Sequence, residues 1–395
     1  MPSWPRIDEA LRNAAETKEI PGVVAVAASG RETIYEGAFG KRDLAKDDLM
    51  TLNSVFWIAS MTKAITAAAA MQLVDRGKLL LDRPLGELLP ELASPQVLEG
   101  FDETGAPSLR SARQPITLRR LLTHTAGFCY EIWNAEMGRY MEHAGIPGII
   151  SCQNKALSAP LASEPGSRWE YGINIDFVGK AVEAASGQTL DVYLKDHILG
   201  PLGMNDTGFK LRTEQRARLV GMHARQPDGE LVPMEFELSQ EPEFHMGGGG
   251  LYSTAPDYIR FVRMILNGGT LDGERVLETE TVRTMAQNHI GELNVTKMPS
   301  ALPPYSRDVD LYPEQDKKWG LSFLINTQKT AEGRSAGSLA WAGLANTYFW
   351  NDPERDVGGV ILMQLLPFGD EDALRLFNRF ESGVYAALDE TRRAA

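Results

Sequence analysis

VFWIASMTKAITAAAAMQLVDRG, running from Val55 to Gly77, is the stretch on which the reading of this chain turns. From Ser60 onward it is dominated by alanine and leucine, both strong helix formers, and Gly77 can close the helix at its carboxyl end. The polar and aromatic approach gives way at Ser60, which places that serine near the helix amino terminus. There the unsatisfied N–H groups and the helix dipole favour developing negative charge. Ser60-Met61-Thr62-Lys63 is a Ser-x-x-Lys motif, and a spacing of three puts both side chains on one helix face. Lys63 sits among Ile58, Ala59, Ala64, Ile65 and Ala67 to Ala70. An ammonium buried there loses solvation and its pKa falls, which suits it to act as a base. A serine cap followed by a solvated lysine is the plainer alternative, and the apolar neighbours weigh against it.

Working outward, Ile7 to Lys18 carries Ile7, Ala10, Leu11 and Ala14 at helical spacing. Val23–Ala28 and Glu32–Phe39 read as strands around the turn Ser29-Gly30-Arg31. Between residues 83 and 208 strand-like runs vanish, and short helical segments alternate with Pro and Gly. Strand signals return at Gly320–Ile325, Ser338–Gly343, Asn346–Trp350 and Gly358–Met363. A last helix follows, in which Leu374, Phe377, Phe380 and Tyr385 could cover a sheet. The expectation is an α+β chain: one antiparallel sheet assembled from both termini and flanked by helices (residues 1–82 and 209–395), with a mostly helical region (83–208) inserted. Loops Asp102–Arg113 and His289–Lys318 are expected to shape a pocket.

Composition removes several function classes. Forty Lys+Arg against fifty-three Asp+Glu leave a net charge of −13, which opposes phosphate backbones and anionic lipid. No nucleic-acid or membrane partner is expected. No apolar run approaches the ~18 residues of a spanning helix, and residues 1–20 lack the pattern of an export signal, so a cytoplasmic location is expected. The two cysteines, Cys129 and Cys152, make no disulfide framework, and the six histidines show no metal-ligand spacing. All six are read as structural, and no metal is expected.

One rival serine exists. Gly333-Arg334-Ser335-Ala336-Gly337 matches the Gly-x-Ser-x-Gly elbow, yet it leads into a strand where an elbow needs a helix. It is read as a glycine-rich turn. Gly247–Gly250 lacks the Lys-Ser/Thr of a phosphate loop and instead permits tight backbone approach.

The segment Val55–Leu85 resembles the nucleophile helix of the serine β-lactamase and penicillin-binding-protein superfamily. Three more segments, in the expected order, carry the same resemblance: TLRRLLTHTAGF (Thr117–Phe128), HMGGGGLYSTAPDY (His245–Tyr258) and WAGLANTYFW (Trp341–Trp350). Together they span about Ile7 to Tyr385. In detail the chain looks most like class C β-lactamases and, more closely, family VIII carboxylesterases. The resemblance implies the β-lactamase-like fold and, through the segment Pro165–Gly172, makes Tyr171 the second catalytic group beside Ser60 and Lys63. It assigns the oxyanion hole to the backbone N–H groups of Ser60 and Leu344. Gly343 would let its edge strand come close, where a side chain would obstruct it.

Two departures from class C lactamases stand out. Ile173 occupies the place of their asparagine, with Asn174 one residue on, and Trp341-Ala342-Gly343 replaces Lys-Thr-Gly. Losing that cation removes a partner for a β-lactam carboxylate, and an indole favours an apolar ester. Of the aromatics Phe128, Tyr130, Trp133, Trp169, Trp341 and Tyr348, Tyr130 and Trp341 are best placed to line the substrate pocket. The expected activity is hydrolysis of small carboxylic esters, short acyl chains preferred, with no cofactor. Acyl transfer, D-aminopeptidase action or weak lactam hydrolysis on the same site remain alternatives, as does a non-catalytic penicillin-recognising protein.

Overall fold

Gly22–Ala28 reads GVVAVAA, with no alternation of apolar and polar residues. The reason is that both faces of this strand are covered: every one of its residues is buried. In the computed structural model, which describes residues 4–394, it is β1 and forms a hairpin with β2 (Thr33–Gly40). The late strands β3 (Lys317–Trp319), β4 (Leu324–Asn326), β5 (Leu339–Gly343), β6 (Thr347–Asp352) and β7 (Val357–Leu362) complete a seven-stranded sheet. Its order is β3-β4-β5-β6-β7-β1-β2, antiparallel throughout. Val24 opposite Leu362 and Val26 opposite Val360 join the two ends of the chain. The fold is α+β, as the strand pattern predicts.

Helices cover both faces. They include α1 (Pro5–Glu16), α2 (Thr62–Asp75), α3 (Asn174–Ser186), α4 (Ala255–Leu266) and α5 (Glu371–Ala394). The two-residue period of β6 decides which helix meets which side chain. Tyr348 and Trp350 point to α5, where Phe377 stacks on Tyr348 at 4.6 Å and Phe380 meets Trp350 at 5.5 Å between ring centroids. Phe349 points the other way, 5.2 Å from Tyr258 on α4. α2 is buried on all sides from Thr62 to Leu73, which explains why its alanine-rich sequence shows no polar face. One continuous apolar cluster runs from Leu11 through the sheet to Leu118, Phe177 and Leu190. Residues 83–208 are therefore packed onto the sheet, with a small cluster of their own at Leu98, Cys129, Met137 and Met141.

Three local expectations change. Residues 83–208 do contain strands: Gln96–Phe101 pairs antiparallel with Pro107–Ser111. The Asp102 carboxylate accepts from the amides of Thr104 (2.8 Å) and Ala106 (3.0 Å) and so closes the turn, while the half-exposed strands carry no clean alternation. Gly320–Ile325 is not one strand. Ser322 adopts a left-handed φ of 76°, and Gly320–Phe323 turns the chain between β3 and β4. Finally, β5 is not the sheet's edge strand. Its first half pairs with β4 at Leu339 and Ala340, and beyond that point Trp341–Gly343 is left open on that side.

Gly333–Gly337 is structural. Arg334 is buried in a bidentate pair with Glu381 (2.8 and 2.6 Å), and the Ser335 amide donates to Asp352 (2.8 Å). The segment enters β5, far from any helix start.

Candidate active site

Ser60 lies in a 3-10 turn, Ala59–Met61, that leads into α2. Ala59, immediately before it, has a left-handed φ of 44°. That conformation costs an L-residue about 1–2 kcal/mol and persists only where the surroundings hold it. They do: the Ile58 amide donates to Leu251 O (3.0 Å), the Tyr258 hydroxyl to Met61 O (2.8 Å), and the Trp57 amide to the Gln364 side chain (2.9 Å).

Lys63, in the first turn of α2, is fully buried. An ammonium has three N–H donors, and here they meet Ser60 Oγ (3.0 Å), the Tyr130 hydroxyl (3.0 Å) and Gly248 O (2.6 Å). Burial drives Lys63 well below the ordinary lysine range, and the Asp176 carboxylate pulls it partly back. The proton is thus held loosely for a lysine, as a base at neutral pH requires.

Tyr171 comes from the segment before α3. Its hydroxyl accepts from the Trp341 indole N–H at 2.9 Å, and Lys63 Nζ lies 4.9 Å from its ring centroid. Burial pushes this phenol up, while hydrogen bonding from Ser60 and Trp341 pulls it back. Trp341 occupies the place where the resembled family carries a cation. Its N–H is turned onto Tyr171, so it supplies a donor without a charge. Tyr130, expected only as a pocket wall, has its hydroxyl on Lys63, and burial holds that phenol protonated. Two phenols therefore flank the serine–lysine pair.

Gly343 explains the close approach of β5. A Cβ there would lie 2.3 Å from Ile58 O and 2.2 Å from Thr347 Oγ1. Only glycine lets the open end of β5 lie against the turn that carries Ser60. Leu344 follows it, outside the ladder, and among the described residues its amide donates to no carbonyl. Ser60, Gly343 and Leu344 share the wall of one cavity, with about 570 Å³ of space that is partly open to solvent. Trp57, Trp133, Ile149, Met246 and Phe368 make most of its remaining lining apolar.

The other aromatics divide. Tyr130, Trp133 and Trp341 line the cavity. Phe128 stacks on Phe177 at 4.6 Å, Tyr348 faces α5, and Trp169 packs behind Tyr171 against Trp319. Asn174 is turned away from the cavity, donating to His124 Nδ1 (3.0 Å) and Phe128 O (3.2 Å). No residue of Asp102–Arg113 or His289–Lys318 lines the cavity; Ser306 reaches it indirectly, accepting the Trp133 indole N–H at 3.0 Å.

Two residues of this centre were not picked out as part of it by the sequence: His124, read only as structural, and Asp176. His124 is wholly buried against the Tyr171 ring, 4.7 Å between centroids, and burial keeps its imidazole neutral. Asp176 is buried beside Lys63. The one available signal for it is a lone acid inside the apolar run Ile173–Gly179. Among the described residues no group of three or more His, Cys, Asp and Glu gathers as a metal site, and no helix is long and apolar enough to cross a membrane.

A family model described as Beta-lactamase matches residues 7–383. The chain belongs to the Beta-lactamase family. Within that family it is 31% identical over 403 residues to Monacolin J acid methylbutanoyltransferase of Aspergillus terreus (strain NIH 2624 / FGSC A1156), covering 97% of this chain and 96% of that one. It is 29% identical over 395 residues to Lovastatin esterase of Penicillium rubens, covering 96% and 98%. Among solved structures, unliganded Simvastatin Synthase (LovD) from Aspergillus terreus superimposes with a TM-score of 0.84 at 30% identity, over 96% of this chain and 97% of that one. The chain is accordingly a serine acyl-transferring enzyme of the Beta-lactamase family.

Proposed function

We propose that this enzyme cleaves carboxylic esters of short acyl groups through an acyl-enzyme on Ser60. The observation that carries the reading is the contact of a wholly buried Lys63 with Ser60 Oγ at 3.0 Å. Ser60 Oγ bonds to the ester carbonyl carbon as its proton passes to the Lys63–Tyr171 pair. The C–O bond to the alcohol then breaks, and Tyr171 returns a proton to the departing alkoxide. The amides of Ser60 and Leu344 face the oxygen that becomes negative, a donor of this kind contributing about a hundred- to a thousandfold in rate. Water, activated by the same pair, releases the acid. The apolar walls and the indole at Trp341 suit an uncharged ester. With its N–H engaged by Tyr171, Trp341 has no charge to offer a β-lactam carboxylate.

A second fate of the acyl group, transfer to an alcohol, is favoured by the transferase relative, whose named methylbutanoyl group is itself short. Incubation of p-nitrophenyl butyrate with a graded alcohol acceptor separates the two. Free butyrate as the dominant product supports hydrolysis, and ester accumulating in proportion to acceptor supports transfer. Intact-mass detection of one fluorophosphonate adduct, absent in Ser60→Ala, is expected; an unlabelled wild-type chain would favour a non-catalytic binder.

A further inference from the structure

Asp176, in the first turn of α3, is 1% exposed. Its Oδ1 accepts from the Gly248 amide at 2.9 Å, and its Oδ2 is buried with no partner. On the other side of the same residue, Gly248 O accepts from Lys63 at 2.6 Å. Gly248 thus touches the acid with its N–H and the lysine with its carbonyl. A Cβ at Gly248 would lie 2.6 Å from Asp176 Oδ2, so the carboxylate lies directly over this glycine. An unpaired buried carboxylate is expensive. Lys63 is the cation close enough to offset it, and burial raises the Asp176 carboxyl against the pull of that lysine.

We infer that Asp176 is a positioning residue which, through Gly248, holds Lys63 against Ser60 and governs when that lysine carries its proton. The inference rests on the reading of Ser60 as nucleophile and Lys63 as its base. The other titratable groups around the pair are Tyr130, Tyr171, His124 and Cys152. Burial keeps both phenols and the thiol protonated and the imidazole neutral, so Asp176 is the group whose charge answers that of Lys63. Removing its charge leaves the buried ammonium without an attracting partner and makes it easier to deprotonate. Lys63 would then become an amine at lower pH, but a weaker base.

The test is the pH profile of Ser60 acylation, followed as the burst of p-nitrophenolate from p-nitrophenyl butyrate in the full chain. Asp176→Asn keeps the acceptor for Gly248 and loses the charge. The acid limb is expected to move to lower pH by about one unit, with the plateau rate reduced about tenfold. A folded Asp176→Asn protein whose acid limb coincides with that of wild type would overturn the inference. Asp176→Ser, equally uncharged, is a second variant with the same expected shift. Should neither fold, NMR of wild type labelled with [ε-¹³C]lysine and [γ-¹³C]aspartate decides the matter. The Lys63 resonance, identified by its loss in Lys63→Met, must share its titration steps with one aspartate carbon. A Lys63 that titrates alone refutes the coupling. A wild-type burst abolished by Ser60→Ala upholds the underlying reading whichever way Asp176 falls, and absence of any wild-type burst removes that reading and this inference together.

Discussion

At the scale of single residues, the site works by leaving one amine short of solvation. Lys63 has every donor occupied and is wholly shielded from bulk solvent, the arrangement the proposed proton exchange with Ser60 requires. Because its proton affinity is lowered, the active amine accumulates as pH rises through a range far below the ~10.4 of free lysine. The acid limb of kcat/KM should fall correspondingly early, and a limb near 10 would show that Lys63 is not the base. The two phenols have separable duties. Tyr171→Phe is expected to lower kcat by about 10²- to 10⁴-fold, the usual contribution of a general acid–base group. Tyr130→Phe, which frees one donor of Lys63, should cost less and shift the pH profile as well. Equal losses without a pH shift at Tyr130 would assign the relay to both phenols alike. Ser60 and Lys63 were legible because three-residue spacing on a helix is a local property. Tyr130 as a partner of lysine was not, since 67 residues separate the two and only packing brings them within 3.0 Å.

At the scale of elements, the decisive contact is between the open end of β5 and the turn before α2. The sheet leaves Trp341–Gly343 unpaired on one side because β4 reaches only Leu339 and Ala340. Gly343→Ala places a Cβ within 2.3 Å of Ile58 O and 2.2 Å of Thr347 Oγ1. The strand must then shift from Ser60, and a displaced donor should cost about 10²- to 10³-fold in kcat. A purely structural glycine would lower Tm and leave the folded enzyme's kcat intact, so the two are measured side by side. The opening helix was legible from its periodicity, and the strands Val23–Ala28 and Glu32–Phe39 from their β-rich composition around the turn Ser29-Gly30-Arg31. The hairpin Gln96–Ser111 was not: its pairing depends on the Asp102 turn, and its half-exposed strands give no clean alternation.

Across the whole molecule, stability and chemistry are separated in space. Arg334 and Glu381, both buried, tie the turn before β5 to α5, while the reacting groups lie at the opposite end of the strand. Arg334→Met leaves Glu381 buried without its cation, a change expected to cost about 3–5 kcal/mol. Chemical denaturation should register that loss, with kcat of the remaining folded enzyme near wild type; a collapse of kcat at full stability would tie Arg334 to the site. The amino-acid sequence by itself determined the α+β class and the serine–lysine pair, because both depend on side-chain type and near-neighbour spacing, and its resemblance to the superfamily added the glycine at 343 and Trp341 in the place of a cation. Tertiary structure alone decided that Trp341 spends its N–H on Tyr171, that Tyr130 meets Lys63, and that Asp176 and His124 stand behind them. Those contacts join segments 47 to 170 residues apart or lie across a glycine backbone. No local pattern encodes such distances; they arise only when the sheet and α2 bury their shared surface.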